Sequence, residues 1–220
     1  MNYPYAGSCV EMISNISAMV ISHWVVMSGN VMIRDGVVSG IQSVTPEDVY
    51  RGLGCSYPKF FKMDKLCKWA FVAAEYLFEK NDLLYKDTDK NNIAVALSTS
   101  HGCLDVDKRY LETIDMPSPA LFVYTLPNIM LGELCIRHGF KGEQLCMVSE
   151  QFDADELYFS VANFLSESGM DACLCGWADA TGSNHDVTLL WVTKDGEGAA
   201  FSAETMREVY GQCERVLSSQ

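Results

Sequence analysis

The segment EQLCMVSEQFDADELYFSVANF, Glu143–Phe164, decides how this chain is read. An apolar run (Leu145, Cys146, Met147, Val148) ends at a polar knot of Ser149, Glu150 and Gln151. The pattern predicts a buried strand that turns sharply into a helix over Asp153–Ser168, acidic at its start and closed by Gly169. In many α/β enzymes such a corner carries the nucleophile, because free amides and the helix dipole favour negative charge there. Here the corner holds a glutamine, with a glutamate before it.

Working outward, the same two periods recur. NNIAVALSTS (Asn91–Ser100), DACLCGWADA (Asp171–Ala180) and DVTLLWVTK (Asp186–Lys194) read as strands. MDKLCKWAFVAAEYLFEK (Met63–Lys80) is the clearest helix, with DVDKRYLETI (Asp105–Ile114) another. A proline-bearing loop leads into a helix from about Asn128 to His138, capped by Gly139. Ser202 caps a terminal helix through Leu217, and Thr45-Pro46 opens a short one. Upstream, Cys9–Ile21 reads as an early strand around Val10, Met12 and Ile16. His23–Val44 reads as extended pieces joined by turns at Ser28-Gly29-Asn30 and Asp35-Gly36. Strands alternating with helices predict one α/β domain over residues 1–220, with a mixed, mostly parallel sheet and helices on both faces.

Composition narrows the function classes. The net charge is −13, from 16 basic and 29 acidic residues, which argues against nucleic acid or an anionic membrane surface as partner. Nine cysteines, an odd number set in apolar runs, read as reduced thiols of a cytoplasmic protein. The sequence shows no uninterrupted apolar run of membrane-spanning length, and its start does not read as a secretion signal. Cys173 and Cys175 alternate along one strand and have no second pair at zinc-site spacing, so no metal is expected. His101 and Cys103 flank Gly102 in a loop; neighbours there point apart, and a solvated histidine is the expectation. His23, His138 and His185 are scattered and read as surface or helix-end residues. No phosphate-cradling glycine loop is present, and no cofactor is implied.

Four stretches in order resemble the N-terminal half of the β-ketoacyl synthases, which have the thiolase fold. MDKLCKWAFVAAEYL is similar to that family's MDR…ALAAA helix, and NNIAVALSTSHG to its IGVVVGSGIGG strand and turn. PSPALFVYTLPNIMLGELCIRHGFKGEQL is similar to PFFVPMTIPNMAAGHISIRYGLRGP, and SGMDACLCGWADA to GDADVMVAGGAE. In the family the reactive cysteine follows the glycine of KGP by nine residues, and nine residues after Gly142 stands Gln151. VSEQFDADEL also resembles the VTEQAGGLDAL of chain length factors, the catalytically silent partners of type II polyketide ketosynthases. The resemblance implies half of the fold, the catalytic histidines belonging to the other half. It places Thr125, Pro127, Asn128 and Met130 near an acyl pocket at a dimer interface, with Gln151 and Phe152 beside it.

The chemistry agrees with a silent subunit. A ketosynthase needs a thiolate and donors aimed at a developing enolate. Glutamine cannot form an acyl-enzyme, and Glu150 and Asp153 place negative charge where an enolate would develop. Cys146, mid-strand, reads as a core thiol. The expected role is therefore a partner of a full-length ketosynthase in a heterodimer, with pairing to itself as the variant. An acyl carrier protein is engaged only indirectly, because an acidic subunit docks an acidic carrier poorly. The alternative is a malonyl-carrier-protein decarboxylase or degenerate acyltransferase using Gln151. Leu157, Phe159, Val161, Ala162, Phe164 and Leu165 nearly encircle the helix after the corner. That helix is expected to be buried on more than one side, so the chain is not expected to be a stable free monomer.

Overall fold

In the computed structural model, which describes residues 19–40, 45–78 and 82–218, the strands are β1 (Val20–Ser28), β2 (Val31–Arg34), β3 (Val37–Gly40), β4 (Ile93–Thr99), β5 (Gln144–Val148), β6 (Ala172–Thr181), β7 (Asn184–Thr193) and β8 (Ala199–Ala200). They form one eight-stranded sheet in the order β3-β2-β1-β7-β6-β4-β5, with β8 against β1. The mostly parallel sheet expected from the sequence is corrected: only β4 pairs in parallel, with β5 and with β6, and the remaining described pairings are antiparallel. The reason is local. β6 and β7 register from Thr181↔Asn184, and β1 and β2 from Ser28↔Val31, so both are tight hairpins. A parallel neighbour needs a crossover of a dozen or more residues.

The helices are α1 (Pro46–Gly52), α2 (Lys65–Phe78), α3 (Leu104–Leu111), α4 (Pro119–Val123), α5 (Ile129–His138), α6 (Ala154–Ser166), α7 (Ala203–Tyr210) and α8 (Gln212–Ser218). They cover both faces of the sheet, as expected. Alternation along the strands sends Val95, Leu97, Leu174 and Leu189 to one core, with α2 and α5. It sends Ala94, Ala96, Cys173 and Cys175 to the other, where α6 and α7 lie.

Helix ends follow the sequence signals. The Thr45 hydroxyl accepts from the Asp48 amide, and Gly139 closes α5 at φ 78°. The buried Asp64 carboxylate accepts from the Leu66 and Cys67 amides at 3.0 and 3.2 Å and so starts α2. The expected terminal helix is broken at Gly211 into α7 and α8. The expected strand around Val10, Met12 and Ile16 lies outside the described residues.

Two expectations about burial are corrected. β5, read as a buried strand, ends the sheet among the described residues: both its end residues are exposed and the three between them are half-buried. α6 has cover of its own, because Phe201, Met206, Val209 and Cys213 join Ala154, Leu157, Val161 and Leu165 in the second core. Phe159 remains outward, 75% exposed.

Candidate functional site at the carboxyl ends of the central strands

β4, β5 and β6 run in the same direction, so their carboxyl ends gather at one edge of the molecule. After β4 the chain moves to the α3–α5 side; after β5 it moves to the α6 side. The connections part there, the topological position at which open α/β sheets hold ligands.

Hydrogen bonds tie the two loops together. The Ser149 amide donates to the Thr99 carbonyl at 3.1 Å, and the Ser100 hydroxyl donates to the Glu150 carbonyl at 3.2 Å. The Ser149 hydroxyl donates to the Gln151 carbonyl at 2.9 Å, which turns the chain into α6. Asp153 then caps α6 by accepting from the Asp155 and Glu156 amides, each at 3.0 Å. Glu150 and Gln151 stand exposed at the corner. Phe152 is half-buried and stacked on Tyr210 of α7, with ring centroids 4.6 Å apart.

The electrostatics of the corner are negative. Glu150, Asp153, Asp155 and Glu156 lie within seven residues, and among the described residues the only ion pair they make is Asp155 with Arg207. Burial disfavours the thiolate form of the cysteines on the adjoining strand and loop. Burial pushes Cys146 up to about 11, and burial together with the Asp64 charge pushes Cys103 up to about 12.

One constellation was missed by sequence reasoning. His101 is not a free loop histidine, nor is it paired with Cys103. Its Nδ1 lies 2.6 Å from Asp179 Oδ2, at the end of β6. Asp179 Oδ1 accepts from the Thr99 hydroxyl at 2.9 Å and from the Ser100 and His101 amides at 3.1 and 2.8 Å. Burial alone would raise the Asp179 carboxyl, but the His101 amide and ring and the Thr99 hydroxyl outweigh it and hold it below its ordinary value. The available signal was the acid that ends CGWAD, where the resembled motif AGGAE also ends in an acid. Asp179→Ala is expected to lower stability by about 2 kcal/mol, since it leaves several donors of the β4 loop unpaired. Thermal unfolding followed by circular dichroism checks this; an unchanged midpoint would mean that the loop holds itself.

The predicted loop residues are partly brought together. Pro127 packs over the turn at Gly102, whose φ is +52° and whose missing Cβ would lie 3.1 Å from Pro127 Cγ. The Thr125 hydroxyl donates to the Phe122 carbonyl at 2.8 Å, and Asn128 is exposed at the start of α5. Met130 is fully buried in the first core, sharing the inward face of α5 with Leu134. His185 is corrected: it is buried and stacked on Trp69 at 3.6 Å, and burial pushes it down to about 4. Among the described residues no group of three metal-ligating side chains forms a metal site, and no helix is long and apolar enough to cross a membrane.

This architecture is the thiolase-like fold of ketosynthases and chain length factors. No family model matches the chain, and no curated protein matches it by sequence. Solved structures do. The ishigamide ketosynthase/chain length factor superposes with a TM-score of 0.57 at 15% identity, over 80% of this chain and 62% of that one. A chain from the complex of a ketosynthase with its chain length factor from Xenorhabdus doucetiae gives 0.56 at 12% identity, over 88% of this chain and 90% of that one. A β-ketoacyl synthase from Burkholderia phymatum gives 0.57 at 10%, over 88% and 61%. The chain thus spans about three fifths of the first and third of these.

Proposed function

We propose that this chain is a non-catalytic, chain-length-factor-like partner of a full-length β-ketoacyl synthase. It would help shape the tunnel in which a polyketide or polyene grows on an acyl carrier protein. The observation that carries this reading is the exposed Gln151 at the strand-to-helix corner, set among the acids Glu150, Asp153, Asp155 and Glu156. Such a corner can line a wall but cannot form an acyl-enzyme. The fold shared with ketosynthases and chain length factors supports it.

The surface suits a partner. Among the described residues β5 is an open sheet edge, and unpaired strand edges invite pairing with another chain. Val148 on that strand is 66% exposed, close in the chain to the outward Phe159 of α6. A ketosynthase, or a second copy of this chain, would cover both. The described cysteines form no disulfide with one another, which fits a cytoplasmic setting.

Co-expression with a full-length ketosynthase from the same source should recover the two chains together on an affinity column. Val148→Asp with Phe159→Glu should cut that recovery at least tenfold while leaving the circular dichroism spectrum unchanged. Absence of co-recovery, with a well-folded monomer by light scattering, would contradict the reading.

A further inference from the structure

We propose that a two-lobed basic cleft, bounded by the 3-10 turn Pro58–Lys62, the start of α2 and the helices α3 and α4, binds an amphiphilic anion: a phosphate or carboxylate head on a short apolar chain. This site lies apart from the strand-to-helix corner and does not rest on the proposed partnership.

The chain carries a net charge of −13, yet five of its 16 basic residues line this one cleft: Lys59, Lys62, Lys65, Lys68 and Arg109. Two of them are already answered. Lys59 pairs with Glu133 at 2.8 Å and Lys68 with Glu47 at 2.7 Å. Lys62, Lys65 and Arg109 have no ion pair among the described residues. The other carboxylate in the wall, Asp64, is 9% exposed and turned inward onto the Leu66 and Cys67 amides, so it does not compete for a cation with a bound anion.

Shape selects the rest of the ligand. The lobes have volumes of about 580 and 430 Å³, within the range of small-molecule sites. They share Met63, Asp64, Lys68 and Arg109, so they adjoin as one cleft, with Arg109 the unpaired cation common to both, Lys62 in the larger lobe and Lys65 in the smaller. The larger lobe is walled by Phe61, Val106, Leu121 and Val123, and Phe61 and Val123 are 52% and 45% exposed. The smaller is polar, with Thr45 and Ser183. A head group at Arg109 would have the unpaired Lys65 and Lys62 in the adjoining lobes, and an alkyl or acyl chain would cover the exposed apolar wall. A nucleic acid or an anionic membrane would face the acidic remainder of the molecule, whereas a small anion meets only the cleft.

Isothermal titration with octyl phosphate below its aggregation concentration tests this, with inorganic phosphate and octanoate as the other arms. Octyl phosphate should bind saturably at one site, at least tenfold tighter than inorganic phosphate, and more weakly as salt rises. Lys65→Ala with Arg109→Ala should weaken it at least tenfold without shifting the thermal midpoint. Phe61→Ser should narrow the gap between octyl phosphate and inorganic phosphate. Octanoate binding as tightly as octyl phosphate would support the proposal with a carboxylate head accepted. No saturable binding of octyl phosphate, binding that survives the double substitution, or inorganic phosphate binding equally well would overturn it.

Discussion

Gly176→Ala is expected to destroy the cooperative fold or to cost more than about 4 kcal/mol, the range reserved for strain and overpacking at a fixed position. Gly176 lies mid-strand in β6 at φ +147°, and a Cβ there would sit 1.9 Å from the Thr188 carbonyl oxygen and 3.1 Å from Leu189 Cα. Both obstacles are backbone of β7, the strand paired with β6 from Ala172↔Thr193 to Thr181↔Asn184. They cannot swing aside without breaking the hairpin at the centre of the sheet. Gly132→Ala in α5 is the matched control: nothing lies within 4 Å of its Cβ position, and the helix should gain about 0.5–1 kcal/mol. Urea unfolding monitored by far-ultraviolet circular dichroism separates the two; a Gly176→Ala midpoint close to wild type would mean that β6 and β7 are less closely apposed than described.

Glu75→Ala is expected to cost about 3 kcal/mol, the order found when one partner of a mostly buried ion pair is removed. Glu75 projects from α2 and grips Arg137 of α5 with two hydrogen bonds, at 2.7 and 2.8 Å. The Glu75 and Arg137 side chains are 10% and 29% exposed. The Cys55 thiol donates to Glu75 Oε2 at 3.4 Å, and Arg137 lies over the Tyr57 ring, so the loop before α2 leans on the same pair. Burial alone would raise the Glu75 carboxyl, but Arg137 and His138 outweigh it and hold it below its ordinary 4.5. A depressed folded value means that the stabilisation is complete above the unfolded value near 4.5 and is lost as pH falls through the folded one. Wild type should therefore lose stability below about pH 4.5 more steeply than Glu75→Ala. Urea midpoints measured from pH 3 to 7 test both the size and the slope; parallel curves would show that another carboxylate carries the acid sensitivity.

The elements were legible because their periods are strong. β4 alternates between two cores and is buried throughout, and the 14 residues of α2 carry a wide apolar face beginning at the Asp64 cap. The sense of the sheet was available but under-read: only five residues separate DACLCGWADA from DVTLLWVTK, a hairpin length. The edge position of β5 was not legible, since Leu145–Val148 are apolar enough for a central strand. Strand order is set by crossovers, not by the strand itself. At the site, the Gln151 corner and its acidic turn were visible in one local segment. The His101–Asp179 pair was not, because 78 residues separate its members and only the parallel alignment of β4 and β6 brings them together. The basic cleft was hidden for a similar reason: Thr45, Lys65, Arg109 and Ser183 come from four separate segments, and the net charge points the other way.

The most direct test of the proposed role is a reconstituted chain-elongation assay with a full-length ketosynthase from the same source, its acyl carrier protein and malonyl extender units, with products sized by mass spectrometry. The account predicts that adding this subunit raises the yield and fixes the length of the product. It predicts that Gln151→Ala leaves elongation running, and that the isolated subunit releases no carbon dioxide from malonyl-carrier protein. Carbon dioxide release by the isolated subunit that Gln151→Ala abolishes would contradict it, and would favour a decarboxylase instead.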